Sequence, residues 1–504
     1  MTPEGKNRLL SWGKQAFVVI AFAAMMFALN KLLRSFTYEE ITDALGAMPL
    51  HVLFAVAGVV GAQHTFYSVR EWLAVRYAGV ADLSVPRIVF ASVVSRSLST
   101  LGLSSITGIG LRLRIYEGWG VHTDDVARIA VYDNSVFLVG LVSQFGFTFT
   151  VLPVPQAIAE SIGETAMRAI GIVMLSLVTA YVGWTRRGRD VVIRGFKLPV
   201  PSVRQLLGQI CLPILDLACV AALVDLCLPP GVGLTYFEIV IACQVSSITS
   251  SITQVPAGIG ILEATILLFA ARPEMSSVII ASLFVYRIFT HLLPVLVGAV
   301  LLVTMEVRRD RKSERPAWIA EAMATVLAVL TFVIGAIVMV ISASPVGDRL
   351  GDVGQILAVA AGSGMLFVAR GLQRRSRNAW RVAFGLLVLR TVFALWAQPL
   401  RFTLAVFVVL GGIMWLARGV FSERKPLLVA PTPQWWIAAG MVLAGTMWSA
   451  FVASGRDFTP RVGIYFGAML GVASIAVATA TITFARQRRL ARIAAARAAQ
   501  TTAA

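Results

Sequence analysis

Long apolar runs are the feature that most constrains the fold of this chain. Most of them are about 18 to 25 residues long, the length that an α-helix needs to cross roughly 30 Å of hydrocarbon. The composition agrees, because 58% of the 504 residues are hydrophobic and 14% are charged. Water-soluble domains carry about 25% charged residues. The sequence therefore predicts an all-α polytopic membrane protein.

About fourteen helical segments are expected from these runs. They lie near 16–33, 50–69, 88–116, 128–152, 167–184, 206–228, 237–270 and 276–303 and then, after a basic break, near 317–341, 353–371, 380–397, 400–418, 434–453 and 461–485. We predict an N-terminal module over 1–312, a second module of six helices over 313–485, and a basic cytoplasmic tail over 486–504. The first run is longer than the core of a signal peptide, so we interpret it as an uncleaved span.

A short phrase occurs twice inside the apolar runs. Ser104 to Gly110 reads SSITGIG, and Ser250 to Gly260 reads SSITQVPAGIG. Glycine and proline at membrane depth predict a broken helix, whose freed backbone groups must be buried in protein or line a polar cavity. Transporters place substrate sites at such breaks. The residues predicted to form the two tips are Gly108, Gly110, Pro256, Gly258 and Gly260.

Loop charges predict how the broken segments cross the membrane. Clusters of Lys and Arg, at the N-terminus, near Arg76, over 186–204 and over 308–312, should lie in the cytoplasm. The chain must cross the membrane an odd number of times between a cytoplasmic loop and an outer loop, and an even number of times between two cytoplasmic loops. In each half the apolar segments do not give the required number, so one segment must enter and leave on the same face. The segment that carries the phrase is the one with glycines in its middle. We therefore predict two re-entrant hairpins in an inverted repeat, 88–116 from the inside and 237–270 from the outside. The alternative is a single kinked span at each place. Both termini are expected in the cytoplasm.

Several classes of function are disfavoured. The net charge of +18 is concentrated in loop clusters, as membrane topology requires, so nucleic acid is not an expected partner. The 4 cysteines lack CxxC spacing and the 4 histidines lack HExxH spacing, so no metal site is expected. The chain has no GxxxxGK[ST] motif for nucleotide binding. We expect no catalytic residues and no cofactor.

Three stretches carry a resemblance to a known family. They are GLSSITGIGLRLRIY (Gly102 to Tyr116), SITQVPAGIGILEATIL (Ser251 to Leu267) and VYRIFTHLLPVLVGAVLL (Val285 to Leu302). They resemble the membrane region of the lysylphosphatidylglycerol synthase/flippase proteins, the multiple peptide resistance factors. In that family a similar S-x-V-P-G-G-x-G-x-[FL]-[ED] phrase is followed by Y-R, although Ala257 here replaces a common glycine. The stretch from Ser363 to Leu389 looks like later membrane segments of the family.

The resemblance implies the flippase part of such a protein. Full-length members carry a C-terminal domain that transfers an amino acid from aminoacyl-tRNA to phosphatidylglycerol. Only about 20 residues follow the last apolar run here, whereas a domain needs about 50 or more. The resemblance thus implies translocation of an aminoacylated or related phospholipid, such as lysyl-phosphatidylglycerol, across the bacterial inner membrane. In the family this gives resistance to cationic antimicrobial peptides.

The resemblance also bears on partners. It implies a separate aminoacyl-tRNA-dependent acyltransferase, which would supply the modified lipid, and a homodimer. Two alternatives stay open at this point. The chain could be a membrane partner of such an enzyme that transports nothing itself, or it could be a truncated phosphatidylglycerol lysyltransferase.

The two hairpins offer opposite charges for the lipid headgroup. A lysylated headgroup has a phosphate and ammonium groups, so its site would need both signs of charge. Arg112 and Glu263 follow the glycine-rich tips and would lie at nearly equivalent places. Two alternatives are structural: Glu263 would gain about 0.3 to 1 kcal/mol at a helix N-terminus, and Arg112 could extend to a cytoplasmic surface.

Charges inside the spans complete the predicted site. They are Asp133, Asp216, Asp225 and Arg390. A charge at the bilayer centre costs about 2.5 to 3.5 kcal/mol or more, so each is a functional candidate, although Asp225 is close to the end of its span. Asp216 could bind an ammonium group or a coupling proton, or could pair with Arg287 or Arg112. Tyr286 and Arg287 begin the span after the second hairpin and are further candidates for binding, as is Arg390.

Overall fold

The computed structural model describes residues 48–99, 112–153, 163–187, 191–193, 196–253, 260–308, 317–342, 351–396 and 401–423, with short pieces between 439 and 474. Outside the described residues lie the first apolar run, the tail, and the predicted tip residues Gly108, Gly110, Pro256 and Gly258. The chain forms two compact units, unit 1 over residues 1–298 and unit 2 over residues 299–504.

Nearly all of the described part is helical. In chain order the helices are α1 (Leu50–Tyr77), α2 (Val85–Ser99), α3 (Thr123–Val151), α4 (Glu164–Thr185), α5 (Val203–Cys227), α6 (Tyr236–Thr253), α7 (Ile261–Ala270), α8 (Ser276–Arg287), α9 (Leu293–Arg308), α10 (Ala317–Ser342), α11 (Gly351–Gln373), α12 (Arg377–Trp396) and α13 (Arg401–Leu416). Residues 112–117 are also helical. A π-helix over Ile288–Leu292 joins α8 to α9, and 3₁₀ turns occur at Pro273–Met275 and Ala417–Val420. Strands β1 (Val191–Ile193) and β2 (Phe196–Leu198) form an antiparallel pair.

Seven stretches of the described helices are long and apolar enough to cross a membrane. They are Leu50–Tyr77, Thr123–Val151, Glu164–Thr185, Val203–Cys227, Val278–Met305, Ile319–Met339 and Gly354–Gln373. Helix α4 shows the pattern of a lipid-facing span, because Ile172, Val173 and Leu177 are all exposed. An all-α polytopic membrane protein is therefore confirmed.

The second glycine-rich run is two helices. Helices α6 and α7 flank residues 254–259 and pack against each other, so the segment is a hairpin and not one kinked span. Gly260 precedes α7 with φ +85°, a left-handed conformation that glycine adopts without steric cost. The first break, over residues 100–111, lies outside the described residues. The membrane faces from which the two segments enter stay predictions.

One side of the hairpin of α6 and α7 packs into the core of unit 1. Its core includes Val56 of α1, Leu223 of α5, Ile241 of α6, Ile266 of α7 and Leu283 of α8, all almost fully buried. The hairpin thus packs against α1, α5 and α8. Such burial is required because a broken helix cannot present its freed backbone groups to lipid.

Unit 2 is built on a close helix pair. A Cβ atom at Gly335 of α10 would lie 2.8 Å from the carbonyl oxygen of Gly362 of α11, and a Cβ at Gly362 would lie 2.7 Å from that of Gly335. Small residues allow membrane helices to approach in this way. Helix α11 packs in turn against α12, and α12 against α13.

Candidate functional site

A cavity of about 190 Å³ opens among helices α1, α2, α3, α5 and α6 of unit 1. Both halves of the predicted repeat contribute to its wall, since α1 to α3 belong to the first half and α5 and α6 to the second. Polar side chains on the wall include Tyr67, Arg70, Arg96, Gln144, Asp216 and Gln244. The apolar part of the wall includes Phe66, Phe137 and Leu141. The cavity thus presents charges of both signs among apolar helices.

Asp216 lies on α5, where it accepts two hydrogen bonds from α1. Tyr67 Oη donates to Asp216 Oδ1 at 2.8 Å, and Gln63 Nε2 donates to the same oxygen at 2.7 Å. Neither Arg287 nor Arg112, the two predicted alternatives, pairs with Asp216; both pair elsewhere. The carboxylate is therefore held at the cavity wall by neutral donors.

Arg96 reaches Asp216 only through Tyr67. Its Nη2 donates to Tyr67 Oη at 2.8 Å, and its guanidinium carbon lies 4.2 Å from the centroid of the Tyr67 ring, a cation–π contact. No carboxylate among the residues that the structure describes forms an ion pair with Arg96. The tyrosine hydroxyl thus accepts from the cation and donates to the anion.

The walls of the cavity meet closely at Gly140 of α3. A Cβ atom there would lie 2.4 Å from Cγ and 2.6 Å from Cβ of Pro213 on α5. The carbonyl of Pro213 accepts a hydrogen bond from Gln144 Nε2, one turn further along α3. A glycine at this position is therefore needed for α3 and α5 to approach beside the cavity.

A largely buried ionic network adjoins the cavity at Arg70. Arg70 Nη2 lies 2.5 Å from Asp133 Oδ1, and Arg112 contacts both Asp133 at 3.0 Å and Glu71 at 2.9 Å. Tyr116 Oη donates to Glu71 Oε1 at 2.7 Å. The two arginines and the two carboxylates give the network no net charge, and each buried charge has a partner of opposite sign. The network ties the helix at residues 112–117 to α1 and α3.

Glu263 and Arg287 form a second, largely buried ion pair. Arg287 Nε donates to Glu263 Oε1 at 2.6 Å and Nη2 donates to Oε2 at 2.9 Å, a bidentate arrangement. The backbone N–H of Gly260 also donates to Glu263 Oε2, at 2.9 Å. Glu263 therefore caps α7, the alternative considered from sequence, and also joins α7 to α8. Tyr286 lies in the apolar core beside this pair.

The two halves show related ion pairs of opposite polarity. In the first half the cation Arg112 follows the glycine-rich phrase in sequence, and Asp133 on the next span is one of its two anions. In the second half the residue after the tip is the anion Glu263, and Arg287 on the next span is its cation. Each pair joins the helix that follows a glycine-rich phrase to the next span.

The structure separates the predicted site residues into groups. Asp216 lines the cavity, whereas the other predicted residues of unit 1, Arg112, Glu263, Tyr286 and Arg287, are not among its lining residues. Arg390 lies on α12 in unit 2.

Sequence reasoning missed Arg96, Tyr67 and Gln244. Arg96 is a charge inside the apolar run 88–116, and the signal that selected Asp216 would have found it. Tyr67 and Gln244 are uncharged residues within helices, and no sequence pattern marks them.

Comparison with known proteins supports a membrane protein. No protein-family model matches the chain. The inner membrane protein YbhN of Escherichia coli (strain K12) is 26% identical over 303 residues, which cover 60% of this chain and 92% of YbhN. The uncharacterized protein slr0712 of Synechocystis sp. (strain ATCC 27184 / PCC 6803 / Kazusa) is 25% identical over 323 residues, which cover 61% of this chain and 98% of slr0712. The chain is thus similar, at modest identity, to almost the whole length of both relatives.

Proposed function

We propose that this chain translocates a phospholipid between the leaflets of the bacterial inner membrane, with the headgroup passing through the cavity of unit 1. The observation that carries the proposal is the presence of both charge signs, Asp216 with Arg70 and Arg96, on the wall of one cavity among apolar helices. The name of YbhN supports the inner membrane as the location. The resemblance to the lysylphosphatidylglycerol synthase/flippase proteins supports an aminoacylated or related phospholipid, and with it resistance to cationic antimicrobial peptides.

The physical reason is the cost of moving a headgroup out of water. A charged group that enters hydrocarbon without a partner loses several kcal/mol, so a translocase must supply partners along the path. Arg70 and Arg96 can meet the phosphate, and Asp216 can meet an ammonium group. The apolar side chains Phe66 and Phe137 offer contact to the less polar part of the lipid.

The ligand roles predicted from sequence for Arg112, Glu263, Tyr286, Arg287 and Arg390 remain predictions. The ion pairs of Arg112, Glu263 and Arg287 favour an additional task, which is to hold the two hairpin helices in place. Cytoplasmic termini, a homodimer and a separate acyltransferase partner also remain part of the proposal.

Leaflet-resolved labelling tests the function. The full chain is reconstituted into vesicles containing lysyl-phosphatidylglycerol, and an amine-reactive reagent that cannot cross the bilayer reports lipid arriving in the outer leaflet. We expect Asp216→Asn and Arg96→Gln each to slow translocation by about tenfold or more, since each removes a charge-assisted contact.

Arg186→Gln is the matched control, because Arg186 is an exposed arginine at the end of α4 that does not line the cavity. It should translocate lipid at the wild-type rate. If the wild type moves no lipid faster than empty vesicles, the proposal fails and a non-transporting membrane partner becomes the better reading. If the wild type is active and both cavity variants equal it, the cavity is not the path.

A further inference from the structure

Arg96 is the cavity residue whose charge is least compensated. Arg70 has Asp133 as its counter-ion, and Asp216 has two hydrogen-bond donors. In the part of the chain that the structure describes, Arg96 hydrogen-bonds to the neutral hydroxyl of Tyr67 and to no carboxylate. A guanidinium has five N–H donors in a planar fork, so most of them stay available for a ligand.

Tyr67 keeps Arg96 and Asp216 from neutralising each other. Its hydroxyl lies between them, 2.8 Å from Arg96 Nη2 and 2.8 Å from Asp216 Oδ1. A direct ion pair would satisfy both charges and leave neither for a ligand. Because the tyrosine separates them, the cavity retains one cationic and one anionic position.

Gln244 lines the same cavity and carries an unpaired donor. Its side chain is 2% exposed, and its Oε1 accepts a hydrogen bond from Thr148 Oγ1 at 2.7 Å. Nε2 of the same amide is buried and has no hydrogen-bond partner among the described residues. Native structures rarely leave a buried amide donor unpaired, so the unpaired group points to a ligand that accepts hydrogen bonds.

We propose that Arg96 and Gln244 form an oxyanion subsite of the cavity, separate from Asp216, that binds a phosphate group. This inference rests on the proposed function, because it assigns the phosphate of the translocated headgroup to one part of the cavity. A lipid phosphodiester and free phosphate share the required chemistry, an anionic oxygen that accepts several N–H donors.

Binding to the purified full chain in neutral detergent tests the subsite without requiring transport. The probes are dihexanoyl phosphatidylglycerol, dihexanoylglycerol, which lacks the phosphate, and inorganic phosphate, each titrated by calorimetry. We expect Arg96→Gln to weaken phosphatidylglycerol binding by about tenfold or more and Arg96→Lys to weaken it less, since Lys keeps the charge without the fork. Gln244→Met, which keeps the volume, should weaken it by about threefold to tenfold. Arg186→Gln should bind as the wild type.

The probes separate the outcomes. If inorganic phosphate competes with dihexanoyl phosphatidylglycerol in the wild type but not in Arg96→Gln, the subsite is supported and accepts free phosphate. If only the lipid probe binds, the subsite is supported as a site for the lipid headgroup. Equal binding of phosphatidylglycerol by the wild type and Arg96→Gln would overturn the proposal, as would equal affinity for the probe without phosphate.

Failure of the two proposals can be told apart. Arg96-dependent binding without translocation would support the subsite and contradict the proposed function. Translocation together with binding that does not depend on Arg96 would support the proposed function and contradict the subsite. If Arg96→Gln does not fold, which its thermal unfolding would reveal, Arg96→Lys and Gln244→Met carry the same test.

Discussion

Arg70 and Asp133 form an ion pair at the wall of the cavity, with Nη2 of the arginine 2.5 Å from Oδ1 of the carboxylate. Arg70 also donates to the backbone carbonyl of Asp133 at 2.9 Å. Because Asp133 is shared with Arg112, the contact joins the cavity to the helix at residues 112–117. Asp133 is therefore shared between an arginine of the cavity wall and the helix at residues 112–117.

Asp133→Asn should destabilise the chain. The change removes the negative charge that faces both Arg70 and Arg112, and we expect the free energy of unfolding to fall by about 2 kcal/mol. The measurement is a titration with denaturing detergent in mixed micelles, followed by tryptophan fluorescence. Asp125→Asn is the control, because Asp125 pairs with Arg128 in a more exposed i,i+3 contact worth about 0.5 kcal/mol or less. Equal effects of the two changes would contradict a structural role for the network.

Glu263→Gln should leave Arg287 with a neutral partner in a largely buried place. We expect the free energy of unfolding to fall by about 2 to 4 kcal/mol. The double variant Glu263→Gln with Arg287→Gln should lose less unfolding free energy than the sum of the two single variants. A coupling energy of about 1 kcal/mol or more is expected for residues in direct contact. Additive losses would show that the pair does not stabilise the hairpin.

The same variants distinguish a structural role for Glu263 from its predicted ligand role. Wild-type stability together with lost translocation in Glu263→Gln would favour the ligand role. If Glu263→Gln lowers the stability and the additional change Arg287→Gln partly restores it, the structural role of the ion pair is favoured. Both readouts use the same purified protein.

Tyr67→Phe removes the hydroxyl between Arg96 and Asp216 and keeps the aromatic ring beneath the guanidinium. Direct pairing of the two charges then becomes available, so binding of dihexanoyl phosphatidylglycerol should weaken by about threefold to tenfold. Calorimetry on the full chain provides the measurement. Tyr181→Phe is the matched control, since Tyr181 Oη donates to Gln209 Oε1 away from the cavity lining. Unchanged affinity in Tyr67→Phe would show that the hydroxyl does not separate the charges.

Gly140→Ala should force α3 and α5 apart beside the cavity. The added methyl would overlap the ring of Pro213, which is bonded to the backbone at both ends and cannot rotate away. We expect a loss of about 1 to 3 kcal/mol in unfolding free energy, the usual cost of overpacking. Gly61→Ala on α1 is the control, because a Cβ there meets nothing within 4 Å. It should be neutral or slightly stabilising, and a similar loss in both variants would contradict the close contact.

Much of the fold follows from local patterns. The apolar run 128–152 is α3, and the run 353–371 is α11, because length and hydropathy alone decide that a segment crosses hydrocarbon as a helix. The glycines and proline before Glu263 predicted a break, and α6 and α7 confirm it. These are properties of neighbouring residues, so an isolated sequence contains them.

The partners of the charges required the tertiary structure. Asp216 was identified as a candidate from its position in a span, but its donor Tyr67 is 149 residues away in sequence. Arg112 meets Glu71 and Asp133 only because α1 and α3 pack together. By itself the sequence determined where helices form, where one of them breaks and which charges enter the membrane. Packing between distant helices decided which charges neutralise each other and which line the cavity, because an ion pair depends on distances of a few ångströms that no local pattern specifies.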